Sequence, residues 1–210
     1  MRIEIERVER LRFDHGGPVR AASAVAGFGE GFLVVQDDAT HAAWFVDGRA
    51  TAIRLLPTVD GLEAFDEASA TKHLKPDLEA ACQVTVDHAP AALVMGSGSS
   101  CARMLWSLVR LQRGEPWAVV ADMSHLYSAV AATLGIEAQV LNLEGACIVG
   151  GALRWYHRGL PSAGLRSGSV DIDLTTALAA TLGQVHPDDV AVTKRMLAAQ
   201  DGPAILVGHS

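Results

Sequence analysis

Three stretches of this chain repeat one strand grammar, and that repetition constrains the fold more tightly than any other feature. The first covers 22–26, 31–38, 43–46 and 51–56; the second covers 78–84, 91–99 and 103–111; the third covers 143–149, 152–159 and 169–174. Each opens on a strand of small residues and turns tightly, at 27–31, 87–90 and 150–151. A second strand ending in Gly or Asp follows, then an alternating third. Leu78-Glu79-Ala80-Ala81-Cys82 and Leu143-Glu144-Gly145-Ala146-Cys147 share a Leu-Glu-small-small-Cys pattern with the same strands after it. Short strands recurring as a unit of roughly 40 to 65 residues suit a propeller blade, whose innermost strand needs small side chains where blades crowd the axis. The plainer alternative is an ordinary meander sheet or barrel. The expected fold class is all-β, a partial β-propeller-like repeat of about three blades.

Between the second and third units the hydrophobic period changes. Residues 117–121 read as an outer strand, after which Ser124 is expected to cap a short helix with Leu126, Val130 and Leu134 on one face and Gly135 at its end. The stretch 60–75, acidic and weakly periodic, reads as a long surface connection. Trp44, Trp106, Trp117 and Trp155 each fall in an expected strand and read as core between sheets.

Composition excludes several partners. Half of the 210 residues are hydrophobic and a fifth are charged, enough to bury a core, and no apolar run approaches the roughly 18 residues of a membrane span. The net charge is −7, and no cluster of Lys and Arg is placed to neutralise a run of phosphates, so nucleic acid is not an expected partner. Cys82, Cys101 and Cys147 lack the spacing of a zinc or redox motif and read as buried free thiols. Residues 1–10 alternate charge with Ile and Val, unlike a secretory signal, which points to a cytoplasmic protein.

Several motifs carry a resemblance. Lys75-Pro76-Asp77-Leu78-Glu79-Ala80, Gly96-Ser97-Gly98-Ser99, Asp122-Met123-Ser124-His125-Leu126-Tyr127, Asn142-Leu143-Glu144-Gly145-Ala146 and Arg158-Gly159 together resemble a bacterial family of unknown function predicted to form β-propellers. The likeness covers roughly residues 5 to 183. More distantly, that family is similar to the propellers named esterase-like phytases, in which an acidic residue on an inner strand lies near the central channel. Family members are longer, so the resemblance implies about half a propeller and brings no established activity.

The last segment reads differently, dividing the chain into 1–183 and 184–210. Pro187-Asp188-Asp189 is a helix-start signal, with Val190, Thr193, Met196 and Leu197 at helical spacing before Asp201-Gly202-Pro203. The apolar run 204–207 then leads into Gly208-His209-Ser210. Residues 186–210 resemble an α/β-hydrolase up to its nucleophile elbow, and that resemblance implies Ser210 as nucleophile. In such hydrolases the second glycine of the elbow, the next backbone N–H, the acid and the histidine all follow the serine, so Ser210 alone would be inactive. The segment is read either as a cap on the sheet or as the remnant of a truncation or fusion.

Glu79 and Glu144 hold the same place in their repeats. If both point toward the axis, they are candidate ligands for calcium, a hard cation that takes several oxygens; otherwise they accept backbone hydrogen bonds at the strand start. The first repeat offers Ala21 where the third acid would stand. Asp37-Asp38 reads as a turn cap or an acid pair, Gly96-Ser97-Gly98-Ser99 as a hairpin turn, and Arg154, His157 and Arg158 as cations that do not converge. The leading expectation is a propeller-like protein of unknown biochemical activity, binding a small-molecule ligand or acting as a scaffold, with self-association through uncovered blade faces and edges. The alternatives are a truncated serine esterase and a channel-type metal-dependent phosphatase or lactonase.

Overall fold

Two-residue turns with both residues at positive φ set the architecture, because their twist matches that of the strands they join. Asp47-Gly48, Asp87-His88, Arg113-Gly114 and Gly150-Gly151 are four such turns. The computed structural model describes residues 10–195. They form three four-stranded antiparallel sheets, each a meander in which chain order is spatial order.

The first sheet is β1 (Ala22–Phe28), β2 (Gly31–Gln36), β3 (His41–Val46) and β4 (Arg49–Arg54). The second is β5 (Leu78–Val86), β6 (Ala89–Gly96), β7 (Leu105–Gln112) and β8 (Glu115–Asp122), followed by helix α1 (Ser124–Leu134). The third is β9 (Leu143–Val149), β10 (Ala152–His157) and β11 (Gly168–Asp173), then helix α2 (Leu174–Thr181), then β12 (Val192–Arg195) as its fourth strand. The chain is thus mostly β with short helical parts, as the repeat implied.

The sheets stack face to face with their first strands adjacent, β1 beside β5 and β5 beside β9. Leu33, Val35, Ala42 and Ile53 of the first sheet meet Ala92, Val94 and Val109 of the second. The other face of the second sheet, with Leu93, Met95, Trp106 and Leu108, packs on Leu153, Trp155, Val170 and Ile172 of the third, and on Tyr127 and Val130 of α1. Burial on both faces explains why β6 reads as a continuous apolar run without alternation. Gly27 shows why the first strands need small residues: a Cβ there would fall 2.3 Å from Oε1 of Gln83 on the neighbouring sheet.

Several local expectations are corrected. Residues 187–189 make one turn of 3-10 helix, and Val192–Arg195, expected on a longer helix, pair with the open edge of β11. That edge offers unpaired backbone groups, and it comes with anchors: Arg195 Nε meets Asp171 Oδ2 at 2.5 Å, and Lys194 Nζ donates to the carbonyl of Leu134 at the end of α1, 2.9 Å away. Met196, Leu197 and 204–210 lie outside the described residues. Ser124 opens α1 but does not cap it; the carboxylate of Asp122 accepts its N–H at 2.9 Å. Leu174, expected as the last residue of a strand, instead opens α2, which starts where Asp173 accepts the N–H of Thr176 at 2.8 Å. Trp106 and Trp155 are fully buried and Trp44 partly, but Trp117 is 40% exposed on β8. Cys82 is buried, Cys147 half-buried and Cys101 exposed, all three free.

Candidate functional site

One backbone irregularity recurs in all three sheets. In the first, Ala22 pairs with Gln36 and Ala24 with Val35, leaving Ser23 out of the ladder. In the second, Leu78 pairs with Gly96 and Ala80 with Met95, leaving out Glu79; in the third, Leu143 pairs with His157 and Gly145 with Tyr156, leaving out Glu144. These are β-bulges, which turn a side chain away from its normal alternation and are common beside functional sites. The residue equivalent to Glu79 and Glu144 is therefore Ser23, two places on from Ala21. Ala21, with φ 41°, is instead the counterpart of Asp77, with φ 57°, each just ahead of its first strand. The Ser23 hydroxyl donates to the carbonyl of Leu78 at 2.5 Å, joining the first two sheets at this level.

Glu79 and Glu144 both line a polar cleft of about 490 Å³, with Lys75, Asp77, Ser99, Arg103, Asn142 and Arg158. Among these, Asp77 is the buried hub. Its carboxylate meets Lys75 Nζ at 2.5 Å, Ser97 Oγ at 2.5 Å and Arg103 at 3.2 Å. Burial alone would push its pKa up, but the hydrogen bonds from Lys75 and Ser97 and the charges of Lys75 and Arg103 hold it below the ordinary carboxylate value. Lys75 also pairs with Asp37; burial works against its charge, yet the two carboxylates raise its pKa. Asp37, Asp77 and Glu79 each bring a carboxylate oxygen within 4.8 Å of the other two.

Glu79 differs from its neighbours. Burial first, then the charges of Glu144, Asp77 and Asp37, push its carboxyl up to about 7 against the pull of Lys75. Glu144 is better partnered: Asn142 Nδ2 donates to it at 2.7 Å, and Arg158 stands 3.2 Å away. The site therefore holds several fixed charges and one carboxyl poised near neutrality. It can supply oxygen ligands to a cation, and Glu79 can gain or release a proton there.

The structure brings the two predicted acids together and adds residues that the sequence reading did not connect to them. Asp37 joins the carboxylate cluster through Lys75, whereas Asp38 pairs with Arg20 at 3.0 Å. The stretch Gly96-Ser97-Gly98-Ser99 begins the connection of the β6–β7 hairpin, which is longer than a tight turn and includes a short 3-10 turn, and both serine hydroxyls donate to Asp77. Arg154 is taken up by Asp171, at 2.7 Å, and His157 is buried with Nδ1 on the backbone of Asn142. The convergence of Lys75, Asp77 and Arg103 is not visible in the sequence because their partners are distant along the chain; the local signal is Lys75-Pro76-Asp77 directly ahead of a strand. Ser210 lies outside the described residues. A larger groove of about 700 Å³ between β4 and β8 is lined by Trp44, Ile53, Leu55 and Trp117, with Arg54 and Glu115 as its charged groups; the convergent chemistry is in the smaller cleft.

Among known families, residues 18–207 match the model described as a family of unknown function (DUF6929). No curated protein matches the chain.

Proposed function

The chain belongs to this family of unknown function, DUF6929, and we propose that it is a propeller-type binding protein that holds a small polar ligand through a calcium ion. The propeller reading is supported by three consecutive four-stranded meanders with stacked apolar faces and adjacent first strands. Glu79 and Glu144 are the direct ligands in this reading, with Asp77, already held by Lys75 and Arg103, fixing the wall behind them.

The observation that carries the proposal is the shared bulge. It turns equivalent carboxylates of two neighbouring strands into one cleft, close enough for the charge of Glu144 to raise the pKa of Glu79. A divalent cation between them relieves that repulsion and returns Glu79 to its ionised form. The ion's remaining coordination positions are then open to oxygens of a ligand.

Calcium titration by calorimetry, with thermal melting alongside, tests this. Calcium is expected to bind one per chain and raise the melting temperature, and Glu79→Gln with Glu144→Gln is expected to abolish both effects. Calcium binding retained in the double variant, or no binding to the unaltered chain at millimolar ion, overturns the proposal.

A further inference from the structure

Outside the cleft, two histidines and an aspartate converge from separate elements. His125 lies in the first turn of α1, and His186 and Asp188 lie at the 3-10 turn that precedes β12. Nδ1 of His125 is 3.0 Å from one oxygen of Asp188, and Nδ1 of His186 is 3.2 Å from the other. The two imidazoles meet edge to face with centroids 5.0 Å apart. One ligand atom from each of the three residues lies within 4.8 Å of the other two.

Both supporting elements are held by their own bonds. Asp122 fixes the start of α1, while in the turn the Asp189 carboxylate accepts the N–H of His186 at 3.2 Å and Pro187 limits the backbone. The three side chains are each about 60% exposed, so an ion can reach them and water can fill the remaining positions. Around a tetrahedral ion with bonds of about 2.1 Å, ligand atoms stand roughly 3.4 Å apart, near the 3.0 Å between His125 Nδ1 and Asp188; His186 Nδ1 accepts the Asp188 N–H, which leaves Nε2 as its coordinating nitrogen. Two imidazoles with one carboxylate are ligands for zinc and its transition-metal neighbours, whereas calcium and magnesium take oxygen.

We propose that His125, His186 and Asp188 bind a divalent transition-metal ion of the zinc type, which ties α1 to the turn feeding β12. The bound ion fastens the last strand of the third sheet to a helix that follows the second. The inference is independent of the calcium reading of the cleft, which shares none of these residues.

The test uses the full chain without an affinity tag, titrated with zinc against a chromophoric chelator, and with cobalt(II) as a spectroscopic substitute. The expected result is one ion per chain and a cobalt absorption band in the visible. His125→Gln and His186→Asn should each weaken binding by at least the roughly 10- to 100-fold that even outer-shell losses cost at metal sites. Asn at 186 keeps a side-chain oxygen for the Asp188 N–H, so the turn is retained while the imidazole is removed. His88→Gln, at an exposed hairpin turn, should leave affinity unchanged. No zinc binding by the unaltered chain, affinity unchanged in both site variants, or an equal loss in His88→Gln overturns the proposal.

Discussion

Replacing Glu79 by Gln should make the protein more stable above neutral pH and leave it nearly unchanged in acid. The ordinary glutamate value is 4.5 and in the folded protein it rises to about 7. Between those two values the folded chain keeps a proton that the unfolded chain has released, so stability falls as pH rises through that window. At 1.36 kcal/mol per pH unit the full loss is roughly 3 kcal/mol, and water reaching the part-exposed carboxyl reduces it to about 2 kcal/mol. Glutamine carries no charge and does not incur that loss. Urea unfolding of both chains, at closely spaced pH from about 4.5 to 8.5, reads the difference; with a slope near 2 kcal/mol per molar, the midpoints should separate by about 1 M at the alkaline end. Other titrating groups, including His41 and His157, whose pKa values burial holds down, act in both chains and cancel. Glu144→Gln should bring the Glu79 transition to lower pH by removing the like charge that raises it most. A Glu79→Gln difference that stays flat across the whole range would refute the reasoning.

Two further outcomes follow from the core. Tyr127→Phe should cost about 1–3 kcal/mol in the same unfolding assay, because the buried hydroxyl donates to the Gly96 carbonyl at 2.7 Å and accepts from Trp106 Nε1 at 3.2 Å; an unchanged midpoint would contradict this. With a colorimetric thiol reagent, exposed Cys101 should react first and Cys82 last, since burial pushes the Cys82 thiol up to about 11, and denaturant should release all three cysteines at once.

The sheets were legible because their signals are local. Turn residues at 47–48, 87–88, 113–114 and 150–151 and apolar runs between them sit within a few positions of each other, and α1 ended at Gly135 as its spacing required. β12 was not legible: the four residues of Val192–Arg195 become a strand only because β11 presents an open edge with Asp171 beside it. The cleft was half legible. Glu79 and Glu144 stood out through the Leu-Glu pattern, but the first repeat lacks that marker, and the expected counterpart Ala21 missed the bulge position by two residues. The partners Asp37, Lys75 and Arg103 are gathered by the stacking of whole sheets, which no short window of sequence records.

The bulge has a consequence for how this surface can change. A residue outside the ladder gives no cross-strand pair partner to its neighbour, so its side chain can be exchanged while the register on either side stays fixed. The three positions already differ in chemistry: Ser23 spends its hydroxyl on a neighbouring carbonyl, Glu79 hovers near neutrality, and Glu144 is tied to Asn142 and Arg158. Two of these positions, Glu79 and Glu144, are thus interchangeable sockets in the wall of the cleft on a constant frame, and its preference for one guest over another can be rewritten a single socket at a time.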